Sequence, residues 1–221
     1  MLSEHDVDIA LAGGTALRGD LDVPDDAVGV VVFVHGTGSS RASLRNRAVA
    51  ESLRGRGHGT LLFDLLTVEE EAEDLRTGQW RFDLELLATR LAGTVEWLDR
   101  RPELQRFALG LFGASTGAGA ALLVAARRGD RIGAVVSRGG RPDLAGDALS
   151  HVRAPTLLIV GSRDETVLEL NRQAAAQLGA EQHLEVVAGA THLFEEPGTL
   201  ARAAELAGDW FAQHLGSPRS A

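Results

Sequence analysis

The 221-residue sequence predicts an α/β fold: a mostly parallel, doubly wound sheet flanked by helices, in the absence of a large lid domain. Three observations carry this expectation. Apolar runs rich in Val, Ile and Leu recur at 28–34, 60–66, 107–112, 132–136 and 156–160 without the alternation of a half-exposed strand, as strands buried on both faces require. Stretches with helical character lie between and after them, at 44–53, 82–98, 118–128, 165–178 and 200–215. The run 107–112 then collides with Gly113-Ala114-Ser115-Thr116-Gly117, and a helical pattern rich in alanine follows at once.

Taken in order, 9–12 and 17–23 flank Gly13-Gly14 and suit an antiparallel hairpin at a sheet edge, broken by Pro24. The strand 28–34 ends in His35-Gly36-Thr37-Gly38-Ser39-Ser40, and a helix follows at 44–53. Gly57 and Gly59 turn the chain into the strand 60–66. The charge run 69–74 reads as a solvated loop or a helix start. In 82–98, Leu84, Leu87, Leu91, Val95 and Leu98 fall at helical spacing, and Pro102 stops the helix. Strand 156–160 ends at Gly161-Ser162-Arg163-Asp164, and 183–187 is the last strand. Residues 216–221 are expected to form a disordered tail. No linker, repeat or composition shift interrupts the chain, so 1–221 reads as one domain, with 67–81 and 139–154 the only pieces able to overhang a site.

The composition excludes much chemistry. There is no Cys, which removes disulfides, a thiol nucleophile and cysteine-ligated zinc. There is no Lys, which removes a P-loop and Schiff-base catalysis. Tyr is absent too, so polar chemistry at neutral pH falls to Ser or Thr, His and the carboxylates. A net charge of −9 without a basic cluster argues against nucleic acid and anionic membranes as partners. No apolar run approaches the roughly 20 residues that span a bilayer. The N-terminus lacks the layout of a signal peptide, so a cytoplasmic location is expected.

Strand, tight turn and helix around G-x-S-x-G is the setting of a nucleophile elbow, which aims the serine hydroxyl out at the carboxyl edge of a sheet. A serine needs a base within hydrogen-bond reach, and the base needs a third group to fix its tautomer. Searching strand ends downstream of Ser115 yields Asp164, after 156–160, and His192, after 183–187. Asp164 also stands where a helix N-cap would, and both roles could be filled at once; Glu165 is the fallback carboxylate. The expected oxyanion donors are the backbone N–H groups of Thr116 and Thr37, with Gly38 second to Thr37, while His35 is expected to pack beneath its loop. Among the arginines, Arg41 or Arg138 is a candidate grip for a substrate carboxylate, against the blander reading of surface charge.

These residues resemble the α/β-hydrolase fold. Within it, His35–Asn46, Phe63-Asp64-Leu65-Leu66, Ser137–Leu144 and Thr191–Pro197 are similar to the dienelactone hydrolase family, over about residues 7 to 215. The enzyme that names the family uses a cysteine nucleophile, whereas this chain offers Ser115, so a general esterase is favoured over a dienelactone hydrolase proper. The resemblance implies a serine hydrolase of small esters or lactones with no metal or organic cofactor. A homodimer is compatible with the sequence. The rival from another class is a ligand-binding or accessory protein on the same scaffold. A dinucleotide-binding oxidoreductase is set aside because the glycines fall at 113, 117 and 119, not as G-x-G-x-x-G.

Overall fold

The computed structural model describes residues 1–216; the expected disorder of 217–221 lies outside them. One eight-stranded sheet is formed by β1 (Leu2–Ala10), β2 (Ala16–Val23), β3 (Gly29–Val34), β4 (His58–Phe63), β5 (Ala108–Ala114), β6 (Ile132–Arg138), β7 (Thr156–Gly161) and β8 (Gln182–Val187). The spatial order is β1-β2-β4-β3-β5-β6-β7-β8. The β1/β2 and β2/β4 pairs are antiparallel and every other pair is parallel. The helices are α1 (Leu44–Arg54), α2 (Val68–Thr77), α3 (Leu84–Asp99), α4 (Thr116–Arg127), α5 (Glu165–Ala175) and α6 (Thr199–Leu215).

The unbroken apolar strands follow from two-sided burial. In β3, Val30, Val32 and Val34 join the core beneath α3 and α4, while Val31 and Phe33 join the core beneath α1 and α6. Phe33 and Phe112 stack across the second core with centroids 4.9 Å apart. Burial of a side chain of this size contributes about 1.5–3 kcal/mol.

Among the boundaries that differ from the sequence reading, three have a visible reason, and the charge run takes the helical one of its two readings. The first strand starts at Leu2 instead of Ile9, because this edge strand alternates charged with apolar residues; Asp6, at φ 56°, sits where its register with β2 shifts. The charge run 69–74 is helix, started by a capping box in which Thr67 accepts from the Glu70 N–H at 3.2 Å and Glu70 accepts from the Thr67 N–H at 2.8 Å. Strand β4 stops at Phe63 because the next residues serve the site rim: Asp64 accepts the Arg41 N–H at 2.7 Å, and the Leu65 N–H donates to His35 Nε2 at 3.1 Å. Helix α3 opens at Leu84 because Asp83 caps it, accepting from the Leu86 N–H at 3.0 Å.

Candidate active site

The parallel strands deliver their loops to one edge of the sheet. Ser115 follows β5, the Thr37 loop follows β3, Asp164 follows β7 and His192 lies beyond β8. Ser115 has φ 51° and ψ −125°, a strained conformation for a residue with a side chain, of the kind that costs about 1–3 kcal/mol. Its backbone is held on three sides. The N–H donates to the Arg138 carbonyl at 3.3 Å, and its own carbonyl accepts from Ala118 at 3.1 Å and from Arg141 at 3.0 Å. The flanking glycines answer to contact. A Cβ on Gly113 would lie 2.4 Å from the Cα of Ala118, and one on Gly117 2.2 Å from the Val34 carbonyl oxygen.

The loops after β7 and β8 are stitched together. Ser162 N–H donates to Val187 O at 3.0 Å, Arg163 N–H to Ala190 O at 2.9 Å, and Gly189 N–H to Ser162 Oγ at 2.8 Å. Across this seam His192 Nδ1 meets Asp164 Oδ2 at 2.6 Å. A carboxylate can only accept, so Nδ1 carries the proton and Nε2 is left with its lone pair. Asp164 does stand at the N-cap position of α5, but its side chain makes no cap bond, so the double role considered from the sequence is not realised. Glu165, the fallback, is an exposed first residue of α5.

Ser115 and His192 border the same turn. The Ser115 amide rests on Arg138, and at the next residue, Gly139, a Cβ would lie 3.6 Å from His192 Nδ1. The Ser115 hydroxyl makes no hydrogen bond within the described residues, so the side of the constellation between serine and imidazole is open. Around the expected oxyanion position, the Thr116 N–H begins α4 and has no acceptor among the described residues. The Thr37 N–H instead donates to Thr116 Oγ1 at 2.9 Å, and the two threonine hydroxyls meet at 2.9 Å. The role of the Thr116 side chain escaped the sequence analysis, because no spacing rule joins residues 79 apart. His35 sits beneath its loop, accepting from Leu65 and pairing with the Gly36 carbonyl at 3.0 Å; burial lowers its pKa and keeps it neutral.

The two arginines named for a carboxylate grip are each held by contacts of their own, with Arg41 Nη1 and Arg138 Nε and Nη1 buried without a hydrogen-bond partner among the described residues. Arg41 is engaged by Asp6 at 2.7 Å and Asp64 at 3.4 Å. Arg138 is buried at 7% exposure between Phe112 and Phe194, with its guanidinium carbon 5.9 Å from each ring centre. It donates to Asn46 Oδ1 at 3.4 Å, and burial, with Arg45 nearby, lowers its pKa to about 10.

A parallel sheet with an antiparallel edge, a serine in a strained turn between β5 and α4, and an Asp-paired histidine beyond β8 define an α/β-hydrolase. The dienelactone hydrolase family model matches residues 17–215, and the chain belongs to that family. The chain is 52% identical to a dienelactone hydrolase from Anabaena variabilis, covering 97% of this chain and 98% of that one, with a TM-score of 0.94. An esterase from Pyrococcus furiosus shares the fold at 18% identity and TM-score 0.74, over 97% of this chain and 92% of that one. Proteins from two strains of Mycobacterium tuberculosis, named provisionally as phosphoribosyl transferases, are 56% identical over 98% of this chain. The chain spans 48% of their length. Among the described residues no helix is long and apolar enough to cross a membrane.

Proposed function

We propose that this chain is a serine hydrolase of small carboxylic esters or lactones, acting through Ser115, His192 and Asp164. The observation that carries the reading is the 2.6 Å contact of His192 Nδ1 with Asp164, which leaves Nε2 as the free ring nitrogen of an imidazole bordering, at Gly139, the segment on which the Ser115 backbone rests. Ser115 Oγ attacks the ester carbonyl carbon and its proton passes to Nε2. The tetrahedral oxyanion takes the Thr116 N–H and, once the Thr116 hydroxyl yields it, the Thr37 N–H. The C–O bond then breaks as the imidazolium returns the proton to the leaving alkoxide, giving an acyl-enzyme and an alcohol. Water, deprotonated by His192, releases the acid and restores the serine. Asp164 orients the imidazole and stabilises its charged form. No metal or organic cofactor takes part in this scheme.

The lack of a hydrogen bond between Ser115 and His192 among the described residues is compatible with this chemistry, since such bonds often tighten only when substrate is bound. The same missing bond, with the Thr37 amide already engaged by Thr116, favours a second reading: a ligand-binding or accessory protein on a hydrolase scaffold with negligible turnover. The transferase name belongs to proteins of which this chain spans about half. A panel of activated esters and lactones with the Ser115→Ala protein as control separates the readings. Turnover lost in Ser115→Ala supports the hydrolase, and turnover that survives the substitution overturns it.

A further inference from the structure

A cavity of about 60 Å³ lies beneath the loop after β3. Gly36, Thr37 and Gly38 form one wall, and Leu65, Leu66, Leu75 and Leu87 supply apolar lining. Gly36 joins this space to the nucleophile, since a Cβ at that position would lie 2.9 Å from the Cβ of Ser115. Neither Ser115 nor His192 takes part in the lining, and Gly36 is the link between the space and the nucleophile. A leaving alcohol has to reach His192 to be protonated. The group that enters the cavity is therefore the one that stays on the serine.

The volume and the wall limit what fits. A space of this size holds about four to six water molecules, which is room for a short chain of carbon atoms. The outer wall, α2, is braced at several points. Glu70 pairs with Arg90 of α3 at 2.6 Å, Asp74 pairs with Arg81 at 2.6 Å, and the Arg81 carbonyl accepts from the Thr37 hydroxyl at 3.3 Å. A wall tied to its neighbours and to the oxyanion loop does not swell freely for a longer chain.

Charge limits it further. The lining carries Asp64, Glu71 and Asp74 against one guanidinium, Arg81. Arg81 balances Asp74, and Arg41 balances Asp64 from behind. Glu71 has no ion-pair partner among the described residues, so the mouth keeps a negative charge.

We propose that the cavity under Gly36–Gly38 is the acyl subsite and takes a short, uncharged aliphatic acyl chain, with Leu75 setting its length and Glu71 excluding carboxylated acyl groups. The inference rests on the ester-hydrolase reading above and adds the class of acyl group. Leu75 is 73% exposed and Glu71 lies on the exposed side of α2, so both can be replaced without opening the core.

The test measures kcat/KM for p-nitrophenyl acetate, butyrate, hexanoate and octanoate and for the hemisuccinate, which matches butyrate in length but adds a carboxylate. The wild-type protein is expected to prefer acetate or butyrate, with octanoate and hemisuccinate each at least about tenfold poorer. Leu75→Trp lowers the butyrate-to-acetate ratio by about fivefold or more. Glu71→Gln raises the hemisuccinate-to-butyrate ratio by about threefold at low salt, and added salt erodes the gain. If wild type is active but prefers octanoate, or either ratio stays within about twofold of wild type, the subsite assignment fails while the hydrolase reading stands. If wild type cleaves none of the esters, or cleaves them equally well as Ser115→Ala, the hydrolase reading itself fails and takes this inference with it.

Discussion

The carboxylate of Asp164 and the imidazole of His192 are 28 residues apart in the chain and 2.6 Å apart in space. Adjacent parallel strands β7 and β8 end at the same edge, and their loops are bonded to each other, so the pair is set by the sheet itself. With Asp164→Asn the Nδ1 proton loses its anionic acceptor and the tautomer is no longer fixed. Ester kcat is expected to fall by about 10⁴-fold. Because Asp164 makes no cap bond to α5, the melting temperature should stay close to that of wild type. A circular dichroism melt beside a rate measurement checks both halves.

Ser115 is held at φ 51° by its surroundings, and a glycine tolerates that angle without strain. Ser115→Gly is expected to abolish turnover while raising stability by about 1 kcal/mol, or 2–4 °C in melting temperature for a chain of this size. A melting temperature below wild type would show that the turn is not strained.

Gly117 behaves oppositely. A methyl group there would meet the Val34 carbonyl oxygen at 2.2 Å, and the atom it meets is backbone that cannot rotate away. Gly117→Ala is expected to cost about 4 kcal/mol or more, read as loss of soluble protein or a collapsed urea midpoint.

A buried histidine, His58, and a half-buried one, His35, set an acid limit. Burial lowers the pKa of His35 and of His58 below the ordinary 6.5, and both ring nitrogens of His58 lack partners among the described residues. Above that value neither imidazole is charged in either state, and the two have no effect on stability. As pH falls through 6.5 the unfolded chain takes up protons that the folded one refuses, so stability drops by up to about 1.4 kcal/mol per pH unit for each histidine until its folded pKa is passed. Melting curves between pH 7.5 and 5 measure the slope. His58→Leu should flatten it and leave a shallower limb due to His35; a slope unchanged by that substitution would remove His58 from the account.

Much of this was readable in the residues, and for physical reasons. Two-sided burial makes strands such as β3 and β7 continuous in Val, Ile and Leu, which marks a parallel sheet directly. Ser115 announces itself through Gly113 and Gly117, because contact forces glycine at both places. Asp164 and His192 could be sought because such sheets put their functional groups at strand ends. What stayed hidden depends on long-range partners. The Thr37 amide binding the Thr116 hydroxyl, the capture of Arg41 by Asp6 and Asp64, and the enclosure of Arg138 between Phe112 and Phe194 have no sequence spacing that announces them. The extended β1 is hidden in the sequence because charged residues dominate an edge strand of which only Ile9 is fully buried.

The central claim is that Ser115 is made nucleophilic by His192, and a fluorophosphonate probe tests it most directly. Intact-mass and peptide analysis should find one phosphonyl group, on Ser115, in the wild-type protein, with labelling at least about 10³-fold slower in His192→Ala. No adduct on Ser115, or an adduct that forms equally fast without the imidazole, would contradict it.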